Sequence, residues 1–132
     1  MLTIFHRTIK WVETYWVYLA LTVLMSITVL SLLPLAELPP NVPGSDKLHH
    51  FIAYAALMFP ITLGKPKHLW FIALLLVGYS GGIELLQPYV NRYGEWLDLA
   101  ANSGGLFMGW VMARGVLLLI PHHHDRGYCD QN

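Results

Sequence analysis

Apolar and polar positions along this chain fall in blocks. Residues 14–36, 23 in a row, include no Asp, Glu, Lys, Arg or His. An α-helix crosses a bilayer with roughly 20 apolar residues at about 1.5 Å each. Three further runs, 48–64, 68–83 and 99–113, lack Asp, Glu, Lys and Arg, the last continuing past Arg114 to Ile120. Each reaches spanning length once a few polar residues at one end join its helix. The pattern predicts an all-α membrane protein, a compact bundle of four transmembrane helices at about 15–35, 46–63, 68–87 and 98–120. Ahead of the first, Leu2, Phe5, Ile9, Val12 and Trp16 share one helical stripe, while Arg7, Lys10 and Glu13 face elsewhere. That predicts an amphipathic helix lying in the membrane interface.

Composition agrees. The 132 residues suit one domain; 55% are hydrophobic and 12% charged, against about 25% charged in a soluble domain. A net charge of zero gives no basic surface for nucleic acid. The single cysteine, Cys129, excludes an internal disulfide and any CxxC pattern. Pro34-Leu35-Ala36 lacks the small residue that signal processing favours three before a cut, so the first apolar run reads as a span.

Charge also sets orientation. Arg7, Lys10, Lys65, Lys67, Arg114 and Arg126 lie toward one side, Lys47 and Arg92 toward the other. The richer side is expected to be cytoplasmic, with both termini there and the 34–45 and 88–97 loops outside. Residues 34–44 carry four prolines, which impose an extended path. Ser45 stands at an N-cap position and Asp46 in the first turn. Pro60 is expected to kink the second helix and Pro88 to stop the third. Residues 121–132 read as a flexible polar tail, and His122–His124 as solvated residues.

The informative residues are polar groups at membrane depth, where a charge costs on the order of 3 kcal/mol or more and must face a partner or a wet interior. Asp46, His50 and Tyr54 recur every four residues on the second helix, with Lys47 beside them. Glu84 and Gln87 share a face at the end of the third helix, and Asp98 and Asn102 one at the start of the fourth. Arg92 and Glu95 come from the loop between. All lie at outer helix ends, so the pattern predicts one polar cluster there; ion pairs that merely staple the bundle are the plainer reading. His49 points away and is expected at the interface. Ala101, Gly105, Gly109 and Ala113 form a small-residue ridge on the fourth helix, and Gly81 and Gly82 are expected to play the same part on the third. Trp16, Trp70, Trp96 and Trp110 read as interface anchors and packing groups.

In order and spacing, Asp46-Lys47-x-x-His50-Phe51-x-x-Tyr54, Glu84-x-x-Gln87, Arg92 and Asp98-x-x-x-Asn102-x-x-Gly105 resemble the VanZ-like family of small bacterial membrane proteins. The motif core is 45–112 within a single domain of 1–132; the first helix fits by position only. The resemblance implies a protein of the cytoplasmic membrane with a polar pocket on the outer leaflet. It implies a link to glycopeptide-antibiotic resistance, and a grouping with enzymes that act on phosphate-containing lipid head groups.

Three functions compete. A lipid head-group phosphodiesterase or exchange enzyme would use His50 as base or nucleophile, with Asp46, Glu84 or Asp98 orienting it. Lys47 and Arg92 would hold phosphate, and Tyr54, Gln87 and Asn102 would hydrogen-bond the head group. Its substrate would be a phospholipid or a polyprenyl-linked envelope precursor. A non-enzymatic module binding lipid or antibiotic would use the same pocket. A small transporter would need a carboxylate near mid-membrane, and the first helix has none. No cofactor is expected: His50, Asp46, Glu84 and Asp98 offer ligands for a divalent metal, but no ligand spacing is diagnostic.

Overall fold

The structure, a computed structural model, describes residues 2–33, 46–90 and 95–119, with side chains left out at Leu2, Thr3 and Asp46. The described residues form four α-helices and no strand: α1 (Leu2–Leu32), α2 (Asp46–Leu63), α3 (Leu69–Leu86) and α4 (Trp96–Leu119). A 3-10 turn, Gln87–Val90, follows α3, since Pro88 lacks the N–H that would continue the helix. Pro60 sits within α2, which runs on to Leu63. The proline-rich loop, Ser45, Arg92 and the tail lie outside the described residues.

The N-terminus departs from expectation. The interfacial segment and the first span are one 31-residue helix, interrupted only at Tyr15, whose backbone leaves the helical region. Its stripe is not given over to the membrane surface. Ile9 is buried with Leu63 and Ala113, and Val12 packs against them. Trp16 lies so close over Gly64 that a Cβ there would overlap the indole. Glu13 takes a 2.8 Å ion pair from Lys65. These contacts hold the first turns of α1 on α2 and α4, because burying Ile9 and Val12 there removes apolar area from water.

Two stretches, Ile4–Leu32 and Leu69–Val90, are long and apolar enough to cross a membrane. That is two rather than the four expected. The other helices fall short because of what they carry: Asp46, Lys47, His49 and His50 open α2, and Asp98, Asn102, Ser103 and Arg114 interrupt α4. Large apolar side chains are exposed on every helix, among them Tyr18, Leu21 and Met25 on α1, Ile52 on α2, Phe71, Leu74 and Leu75 on α3 and Phe107 and Met112 on α4.

Helices α2 and α4 share the largest interface. A Cβ built at Gly105 would overlap the Phe51 carbonyl oxygen, and one at Gly109 the Ala55 carbonyl oxygen. The expected ridge on α4 is therefore real at Gly105, Gly109 and the buried Ala113. The expectation for α3 fails. A Cβ at Gly82 would meet nothing within 4 Å, and one at Gly81 only the Leu99 Cδ1 at 4.0 Å. Around the seam, Tyr54, Leu57, Met58, Ile61, Leu76, Ile83 and Leu106 form the core, joined by Ala20 and Ile27 of α1.

Candidate functional site

Helices α2 and α4 both start at the end of the bundle where α3 finishes. Because helical side chains lean toward their N-termini, groups in the first turns of α2 and α4 reach toward that end and meet those in the last turns of α3. His50, Tyr54, Asp98 and Asn102 are buried there, Glu84 is partly buried, and Lys47 lies at the rim. His49 is exposed, as its position off the stripe implies.

Asn102 is the hub. It is 1% exposed. Its Nδ2 donates to Ser80 Oγ at 2.6 Å and to Glu84 Oε1 at 3.4 Å. Its Oδ1 lies 3.1 Å from His50 Nδ1. The orientation has a chemical consequence. A carboxylate only accepts, so the amide nitrogen belongs on the Glu84 side and the amide oxygen faces the imidazole. An amide oxygen also only accepts, so Nδ1 carries the proton. In neutral His50 the lone pair is then on Nε2.

Around this hub, Ser80 is fully buried and also hydrogen-bonds Tyr54. Glu84 Oε2 accepts the Glu95 backbone N–H at 3.3 Å. Lys47 Nζ bonds Glu95 Oε2 at 2.7 Å and stands 3.8 Å from Asp98 Oδ1. The Asp98 N–H is held by the Glu95 carbonyl at 2.9 Å, so the start of α4 is tied to the same residue that steadies the lysine. One potential ligand atom from each of His50, Glu84 and Asp98 lies within 4.8 Å of the other two.

The structure therefore brings together His50, Tyr54, Glu84, Asp98, Asn102 and Lys47. It turns Gln87 elsewhere: its Nε2 reaches the Ser31 carbonyl of α1 at 3.5 Å, so it fastens α3 to α1. Asp46 stands at the first position of α2, with its side chain outside the described residues, and Arg92 lies wholly outside them. Sequence reasoning passed over Ser80. Its signal was its place four residues before Glu84, on the same face of an otherwise apolar helix. Glu95 was seen as a loop residue; the structure makes it the partner of Lys47 and the anchor of α4.

The arrangement offers a base of defined tautomer, two carboxylates and a cation, at one end of an otherwise apolar bundle. A family model described as VanZ/LLP1 matches residues 2–119. No curated protein and no solved structure gives a match.

Proposed function

Since the chain belongs to the VanZ/LLP1 family over the whole of its described fold, α1 included, we propose that it is a multi-pass protein of the bacterial cytoplasmic membrane that receives the phosphate-bearing head group of an envelope lipid. All four helices lie in the bilayer, α1 and α3 turning their apolar faces to lipid while α2 and α4 shelter their polar residues between them. Both termini are cytoplasmic, and the cluster opens to the outer leaflet. The observation that carries this reading is the meeting of the buried His50, Asp98 and Asn102 with the partly buried Glu84, from three helices, with Lys47 at the mouth. Buried polar groups are costly, and a set this large at one membrane face is placed where a charged head group would sit.

Lys47 and Arg92 attract the phosphate, and a head-group oxygen is oriented by the polar groups of the cluster. In a phosphodiester reaction His50 Nε2 takes the proton of water or an alcohol as that oxygen bonds to phosphorus. The bond from phosphorus to the leaving alcohol breaks, and the same proton passes to the leaving oxygen. Resistance to a lipoglycopeptide would follow from a changed outer leaflet.

The test is a lipidomic comparison of cells making wild type, His50→Ala or Asp98→Asn at matched membrane abundance and thermal stability. A lipid species that changes with wild type alone supports turnover and names the substrate. Identical lipidomes would overturn turnover and leave a binding module with the same pocket.

A further inference from the structure

The cluster also has the composition and geometry of a divalent-cation site. We propose that His50 Nε2, Glu84 and Asp98 bind one metal ion of the Mn2+ or Zn2+ class. The proposal deepens the head-group reading and rests on the same cluster, but not on any lipid being the substrate. An ion on Nε2 would take the lone pair that serves as base in the metal-free ring, and would itself lower the pKa of the attacking oxygen's proton in its place.

Distance is the first ground. Ligand atoms bound to one such ion at about 2.1 Å stand no more than about 4.2 Å apart. One potential ligand atom from each of these three residues already lies within 4.8 Å of the other two, so binding needs only rotation of side chains. Each comes from a different helix, α2, α3 or α4. This is why no ligand motif shows in the chain, and why spacing alone argued against a metal.

The second ground is independent of distance. A metal-binding histidine donates its other ring N–H to an oxygen that fixes tautomer and orientation. Asn102 Oδ1 does this for His50 Nδ1, and is itself held by the Ser80 and Glu84 bonds of its amide nitrogen. Nε2 keeps the lone pair that a metal takes. One imidazole and two carboxylates form a mixed nitrogen and oxygen set suited to Mn2+ or Zn2+, and they balance its charge. Three protein ligands leave positions open, as catalytic metal sites require. The Lys47 ammonium is bound to Glu95 at 2.7 Å and stands 3.8 Å from Asp98.

The test uses the full chain, purified in detergent, with the other six of its seven histidines replaced by Gln so that His50 is the sole imidazole. Mn2+ alone is titrated and followed by electron paramagnetic resonance. Expected are one Mn2+ per chain, displacement by Zn2+, and nitrogen modulation of the bound spin from an imidazole. Glu84→Gln and Asp98→Asn should each weaken binding at least tenfold, and Asn102→Leu by about tenfold or more through loss of orientation. Sub-stoichiometric binding, no imidazole nitrogen at the bound ion, or full affinity in folded Glu84→Gln and Asp98→Asn would each overturn the proposal. Where those variants fail to fold, the stoichiometry and nitrogen signal of the sole-histidine protein decide it alone. No lipid is present, so this result and the lipidomic one fail separately.

Discussion

The contacts of α4 with α2 and with α3 both bring glycines near a neighbouring helix, and they work by different physics. At the α2–α4 seam the glycines are the contact: Gly105 and Gly109 let the backbone oxygens of Phe51 and Ala55 approach closer than any side chain would allow. At the α3–α4 contact Gly81 and Gly82 touch almost nothing, and the two helices are joined by Ser80, Glu84 and Asn102 instead. A glycine in an apolar helix therefore states that a backbone is bare. Whether another helix uses the bare surface is decided by where the polar groups force the helices to meet. Close packing and interhelical hydrogen bonds are the two terms that associate helices in lipid; α4 meets α2 by both, since His50 also bonds Asn102, and meets α3 by the second.

The seam should be the easiest to break. Gly105→Val places a branched side chain against a backbone oxygen that cannot move without moving α2, and overpacking of this kind costs about 3 kcal/mol or more. We expect the detergent-solubilised protein to lose its cooperative thermal transition or shift far downward. A transition near the wild-type temperature would mean that the seam is not tight.

Asn102→Leu keeps the volume but strands Ser80, Glu84 and His50 against an apolar group, at about 1–3 kcal/mol. The same thermal measurement should show a clear, smaller loss, and the His50 ring nitrogens in 15N spectra should lose their fixed tautomer. Unchanged spectra would show that something other than Asn102 holds the imidazole.

Gly82→Ala should be the mildest. With open space around the new methyl, only helix propensity changes, by up to about 1 kcal/mol in favour of alanine. A destabilised Gly82→Ala would show that α3 is packed where the structure leaves it open.

This contrast also shows what the chain makes legible. The four helices could be read from long runs without charge, and their bounds follow from where charges and prolines interrupt them. The polar cluster at one end of the bundle could be read because His50, Glu84, Asp98 and Asn102 interrupt runs that are otherwise apolar. The use of a glycine could not be read, since it depends on a partner that local spacing does not name. Ser80 escaped for a related reason: a hydroxyl can satisfy itself on its own helix, as Thr22 and Ser26 do on α1, so its presence alone does not announce a tertiary bond. The first turns of α1 were misread because an apolar stripe flanked by charges looks the same whether it faces lipid or protein. Here Leu63 and Ala113 cover it at Ile9 and Val12, while Phe5 stays exposed.

Ser80 has a neighbour that extends its meaning. Tyr79 OH lies 2.5 Å from Thr28 Oγ1 on α1, while Ser80 bonds Asn102 on α4. Consecutive residues of a helix point about 100° apart, so these two hydroxyls clasp α3 from two sides at one level. A slide of one turn, about 5.4 Å, would undo both clasps together, and a roll about the axis would spoil at least one. The greasy remainder of α3 offers many nearly equivalent depths. A phenol and a serine, with Gln87 a step further along on Ser31, choose among them, and so set the height at which Glu84 is delivered.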